Sequence, residues 1–146
     1  MLVLNAEQIR KLAPTPRLVE ALKETFRDGR VTTLRTPTSM PGGEGDRLFV
    51  SMLAMDRDGG AVIKLLTILP ENRPKGLLTV QGAIVVFSKA GLPVATLDGT
   101  VVTHLRTGAA SALASQYLSR PESSRLVVMG TGALAPTMAE IGRAHV

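Results

Sequence analysis

The chain has 146 residues, 45% apolar and 20% charged, the composition of an ordinary globular domain with a real core. It has no cysteine, which excludes disulfides, zinc–thiolate sites and cysteine nucleophiles and leads us to expect a reducing, cytoplasmic setting. The net charge of +5 is scattered, and one tyrosine, three phenylalanines and no tryptophan leave little for bases to stack on; a small anionic ligand is therefore expected, and no nucleic acid.

The opening MLVLNAEQIRKLAP reads as a short strand and a helix, with Asn5 as N-cap and Gln8 completing a capping box. It has neither the basic start nor the small-residue cleavage site of a signal peptide, and no apolar run is long enough to span a membrane, so no membrane partner is expected. TPRLVEALKETFRDG predicts a second helix, with Thr15 as cap, Pro16 at the first helical position, a Leu18, Leu22, Phe26 stripe and a stop at Asp28-Gly29. From Val31 to Leu97 the pattern is that of strands: LFVSMLAM (48–55), AVIKLLTIL (61–69), LTVQGAIVVF (78–87) and PVATLD (93–98) are separated by turn clusters. The last two form a hairpin across Lys89-Ala90-Gly91. VVTHLRTGAASALASQYL (101–118) has helix length and is rich in alanine. RLVVMGTGALAP then predicts a short buried strand over 125–129, a glycine-rich turn and the start of another helix.

Few residues in this pattern point to chemistry by themselves. Gly130-Thr131-Gly132-Ala133-Leu134-Ala135 fits the dinucleotide fingerprint G-x-G-x-x-G/A, where small residues let backbone approach a pyrophosphate; ordinary strand-to-helix turns share the pattern. Lys64 is one cation in an apolar strand. Either its stem lies along the sheet with the ammonium in water, or the charge meets a partner, because an unpaired buried ammonium is costly. Arg106 is one cation in a helix of small and apolar residues, where a solvated face is an equally good account. Thr107-Gly108-Ala109-Ala110-Ser111 suits close helix packing or a ligand's approach, and packing is the safer expectation. Arg35 reads in isolation as a loop arginine, and His104 as a helix-surface histidine with no carboxylate spaced to orient it. No hydrolase or metal motif is present.

Taken together, RTPTSMP (35–41), VIKLLTILPENRPKGLLTVQG (62–82), LDGTVVTHLRTGAASALAS (97–115) and RLVVMGTGALAP (125–136) resemble the ornithine cyclodeaminase/mu-crystallin family in order and spacing, from Val3 to Ala139. The resemblance implies a substrate-binding and dimerisation domain followed by a Rossmann domain for NAD or NADP. It places Arg35, Lys64 and Arg106 on the carboxylate of an α-amino or α-imino acid, with Lys64 as the catalytic group. It places Thr79, Gln81, Arg106 and Thr107 beside the nicotinamide, and Gly130, Gly132, Ala133 and Leu134 on the pyrophosphate. It also implies a homodimer and no metal. Family members that release ammonia carry a glutamate two residues before a strand methionine; Val50 stands there, two residues before Met52, which favours simple imine reduction of the Δ1-pyrroline-2-carboxylate or ketimine reductase kind. The alternatives are ornithine cyclodeamination proper and non-catalytic, crystallin-like ligand binding.

The expected fold class is therefore α/β. Residues 1–122 form an α+β domain with a mostly antiparallel sheet, and 123–139 form the first strand and glycine turn of a truncated Rossmann domain. Residues 140–146, EIGRAHV, resemble the translation of a common sequencing adapter and are expected to be a non-native tail. Without the rest of a Rossmann domain the chain alone is expected to be inactive.

Overall fold

The computed structural model describes residues 1–42 and 46–141. The chain divides into two compact units, one of Met1–Ile9 with Arg30–Thr100, the other of Arg10–Gly29 with the chain from Val101 onward.

The first unit is a sheet. Strands β1 (Leu2–Leu4), β2 (Val31–Ser39), β3 (Leu48–Asp56), β4 (Ala61–Ile68), β5 (Val80–Phe87) and β6 (Pro93–Asp98) lie in the order β1-β6-β5-β4-β3-β2. All neighbours are antiparallel except β1, which runs parallel to β6, so the mostly antiparallel sheet is as expected. The turns form where their chemistry allows. Gly59, at φ 91°, closes the β3–β4 turn through its N–H to the Asp56 carbonyl. Gly91, at φ 76°, does the same to Ser88 in the β5–β6 hairpin.

β2 departs from the expectation for Arg35. The residue lies in mid-strand and not in a loop, opposite Met52. Polar TTLRTPTS forms a strand because β2 is an edge, exposed along all nine residues, and Pro37 is tolerated there.

Asn72 is the buried polar residue of the 3-10 turn Pro70–Lys75. Its side-chain amide donates to the Leu78 carbonyl (3.1 Å), while its N–H reaches Leu69 O and its carbonyl accepts from Leu77 N. Arg47 pairs with Glu71 at 2.8 Å and donates to Pro41 O at 2.9 Å, tying the β2–β3 connection to this turn.

Helix α1 (Ala6–Leu12) begins with the expected reciprocal cap: Gln8 N–H donates to Asn5 Oδ1 and Asn5 N–H to Gln8 Oε1, both at 3.0 Å. Helix α3 (Gly99–Leu118) starts two residues earlier than the apolar pattern suggests, because Asp98 Oδ1 accepts the Thr100 N–H at 2.9 Å.

The second unit holds α2 (Thr15–Asp28), most of α3, and the short α4 (Ala135–Ala139). Val19, Ala109, Ala112 and Leu113 form its buried cluster, with Leu18, Leu22 and Ile141 packed against it. The stripe is thus shifted from the expected one: Val19 is buried and Phe26 is 71% exposed, since the alanine face of α3 selects the side of α2 it can approach. Thr15 is not the cap. Pro14 holds that position, and the Thr15 hydroxyl donates instead to Glu140 at 2.6 Å. Gly29, at φ 58°, ends α2 as expected. The small-residue run packs helix on helix: a Cβ on Gly108 would lie 2.8 Å from Thr137 O.

The expected strand over 125–129 does not form. These residues belong to no strand and are exposed, because a parallel strand needs neighbours on a sheet to give its N–H and C=O groups partners. Of the EIGRAHV segment, Glu140 and Ile141 are placed in this unit, and Gly142 to Val146 lie outside the described residues.

Candidate functional site

Strand register decides which side chains of the sheet share a face, since directly opposed residues point the same way. Met52 opposes Arg35 on one side and Lys64 on the other, so Arg35, Met52 and Lys64 form one row across β2, β3 and β4. The row continues through Ile84 and Leu97. The neighbouring row on this face runs Pro37, Val50, Leu66, Gly82. Val50, Leu66 and Ile84 are all buried, Val50 completely. Two cations from segments far apart in sequence therefore rise from an otherwise apolar surface, with Cβ atoms about 10 Å apart across one intervening strand.

The pairing type tightens this. Gly82 N–H donates to Thr100 Oγ1 (3.0 Å), so it points away from β4. Alternation of antiparallel pairs then makes Val50–Pro37 and Met52–Arg35 non-hydrogen-bonded pairs, the type with Cα atoms only about 4.5 Å apart and side chains closest.

The other expected positions are distributed as follows. Gln81 opposes Thr67 and so lies on the opposite face of the sheet from Lys64, with its amide 3.4 Å from Leu78 O. Thr79 precedes β5, and its carbonyl accepts from Leu69 N–H. Arg106 is exposed on α3, and the neighbouring Thr107 hydroxyl donates to Thr103 O within the helix. Gly130, at φ 100°, Gly132, Ala133 and Leu134 form an exposed turn leading into α4, and a Cβ on Gly132 would meet nothing within 4 Å. The structure thus unites Arg35 with Lys64, and separates Gln81 from them by the thickness of the sheet. Among the described residues no cluster of His, Asp or Glu could hold a metal ion, and no helix is long and apolar enough to cross a membrane.

Residues 1–146 match the profile of the ornithine cyclodeaminase/mu-crystallin family. The chain belongs to that family. Among its relatives is a Bacillus cereus Δ1-pyrroline-2-carboxylate reductase, 32% identical over 145 residues, which cover 96% of this chain and 44% of the relative. The Thermococcus litoralis Δ1-pyrroline-2-carboxylate reductase, solved with NADH and L-proline, superposes with a TM-score of 0.87 at 29% identity, over 97% of this chain and 45% of its own. An archaeal alanine dehydrogenase dimer with bound NAD gives 0.84 at 30% identity, over 100% and 46%. The chain therefore spans a little under half the length of the relatives it matches.

Two features of this family member were not anticipated. Met52, between the cations, carried no signal because an apolar residue in an apolar strand stands out only once register is known. The Asp98 cap had one, an Asp-Gly-Thr step before an alanine-rich helix.

Proposed function

We propose that this chain supplies the substrate-binding part of an NAD(P)-dependent reductase of cyclic or open α-imino acids, of the Δ1-pyrroline-2-carboxylate or ketimine reductase kind. The observation that carries the reading is the Arg35–Met52–Lys64 row. A guanidinium can take a carboxylate with two parallel hydrogen bonds, and an ammonium adds a point charge from the other side. Arg106 would complete the clamp. Held by its carboxylate, the substrate has its α-carbon fixed, and orientation is most of what a protein contributes to hydride transfer. In this role Lys64 is catalytic through position, because an iminium already carries its proton.

Val50 supports reduction over ammonia release. It lies on the cation-bearing face, one row from Lys64, and is wholly buried, so no carboxylate is present there to act as base.

The dinucleotide, NAD or NADP, would supply the hydride. The turn fits it: Gly130 and the unobstructed Gly132 leave the backbone open to a diphosphate, with Ala133 and Leu134 beside it. Thr79, Arg106 and Thr107 are the proposed nicotinamide-side residues; Gln81, on the opposite face of the sheet from Lys64, is set apart from them. In this reading residues 1–122 bind substrate and dimerise, 123–139 begin the nucleotide-binding domain, and the protein works in a reducing cytoplasm.

The full-length protein carrying this chain, assayed with Δ1-pyrroline-2-carboxylate, Δ1-piperideine-2-carboxylate, pyruvate plus ammonia, and ornithine, is expected to oxidise NAD(P)H with a cyclic imine. Ammonia release from ornithine without imine reduction would overturn the reading.

The second face of the sheet suits a homodimer. Leu34, Leu53, Ile63 and Val85 form an apolar row there, with Leu34 61%, Phe49 37% and Met55 43% exposed. The occupant we propose is a second copy of the chain, as one structural relative is a dimer. Leu34→Lys is expected to convert the dimer to monomer in light scattering at micromolar concentration; an unchanged dimer mass would exclude this face.

A further inference from the structure

We infer that Asn72 is a positioning residue for the dinucleotide, acting through Thr79. The inference rests on the functional reading above, in which Thr79 lies on the nicotinamide side, and adds a residue to it. The connection between β4 and β5 closes on Asn72. Its N–H donates to Leu69 O at 3.1 Å, its carbonyl accepts the Leu77 N–H at 3.0 Å, and its side-chain amide donates to Leu78 O at 3.1 Å. Leu69 N–H in turn donates to Thr79 O at 2.8 Å. Thr79 is thus held twice: through its own carbonyl by the end of β4, and through the residue before it by Asn72.

Apolar packing does little to fix this segment. Leu77 is 55% and Leu78 44% exposed, whereas Asn72 is 7% exposed. With its leucines largely in water, the segment depends on its hydrogen bonds for its place. Gln81 also donates to Leu78 O, but at 3.4 Å and from an exposed side chain, where water competes. The buried Asn72 amide makes the shorter bond in a less polar setting, where it is worth more. The turn that carries it is itself anchored. Glu71, the preceding residue, pairs with Arg47 at 2.8 Å, and Arg47 donates to Pro41 O at 2.9 Å.

The chemistry at Thr79 makes this placement matter. Its carbonyl is taken by Leu69, so its hydroxyl, donor and acceptor at once, is the group it would offer to a carboxamide. Such a contact orients a nicotinamide only while the hydroxyl keeps its place, since a shift of about 1 Å can cost ~100-fold in rate.

The test uses the full-length protein with Asn72→Ala, Asn72→Asp, Thr79→Val and the Asn72→Ala/Thr79→Val double variant. Kd for NADH and NADPH is read by fluorescence, and Kd for L-proline by calorimetry at saturating dinucleotide. Asn72→Ala and Thr79→Val are each expected to raise the Kd of the preferred dinucleotide by about 10-fold. The proline Kd is expected to stay within about threefold, a split that general unfolding would not produce. The double variant is expected to bind no worse than about 10-fold below the parent, because a loosened segment leaves the hydroxyl nothing more to contribute. A loss of about 100-fold there would show that the two residues act separately and would overturn the inference. An unchanged dinucleotide Kd in either single variant, or a proline Kd that rises in step, would overturn it as well. Asn72→Asp keeps the shape and removes the N–H donor, and it takes the place of the alanine variant if that one does not fold. Failure of both to fold would make Asn72 structural only, against the inference. A parent that binds a dinucleotide but reduces no imine overturns the functional reading, and the double-variant comparison still decides the inference; a parent that binds neither dinucleotide overturns both.

Discussion

Lys64→Met in the full-length protein is expected to lower kcat/KM for the cyclic imine by about 30- to 5,000-fold, corresponding to about 2–5 kcal/mol for a charge pair removed from water. The size follows from the surroundings of the lysine. Leu66 and Ile84 are buried beside it and Val50 lies in the adjoining row, so the local medium screens a carboxylate–ammonium pair far less than water does. Methionine keeps the stem that packs along the sheet and removes only the charge. Arg106→Ala is expected to lose activity in the same range. Steady-state kinetics with saturating cofactor reads both, and a change below about threefold for Lys64→Met would remove the lysine from the site.

Gly82→Ala is expected to destabilise the fold by about 3 kcal/mol. Two effects oppose each other. Replacing glycine in a strand interior removes backbone freedom from the unfolded chain and by itself favours folding by about 0.5–1 kcal/mol. Against this, the new Cβ would collide with the Leu65 carbonyl oxygen and with Leu66 Cδ2, and the first of these is backbone in the central strand β4. The close approach has a reason: Gly82 N–H holds Thr100 Oγ1, and a Cβ on Gly99 would lie 2.8 Å from Ala83 N, so the start of α3 lies directly on β5. Overpacking therefore wins. Gly60→Ala is the control, since its Cβ would meet only Phe87 O at 4.0 Å, and its denaturation midpoint is expected to be unchanged or raised. Equal midpoints for Gly82→Ala and the parent would refute the argument.

Local chemistry was the legible part of the chain. The Asn5–Gln8 cap, the Gly29 stop and the turns at Gly59 and Gly91 follow from residue types acting on their immediate neighbours, and the strands β3 to β6 fall between turns of that kind. What tertiary partners decide was not legible. β2 shows no apolar alternation because an exposed edge does not require it, so Arg35 could not be placed on a strand from its surroundings. The phase of α2 depends on Ala109 and Ala112, about ninety residues downstream. LVVM reads as a strand on composition, yet a parallel strand is a property of its neighbours. For the site, the resemblance of motifs named Arg35 and Lys64, and register brought them together. The turn at 57–60 sets Met52 against Lys64, and a slip of one residue would have sent the lysine to the opposite face.

The strand order has a consequence for assembly of the chain itself. From β3 to β6 each strand pairs with its predecessor, and the β3–β4 and β5–β6 connections are short, while the β4–β5 connection carries the 3-10 turn; β1 alone returns to a partner on the order of ninety residues away. Closing that long segment costs about 2.5 kcal/mol more entropy than closing a five-residue turn, with only three residue pairs to offset it. The meander can therefore zip up from its hairpins as the ribosome releases them, and β1, made before them, is the last strand to dock.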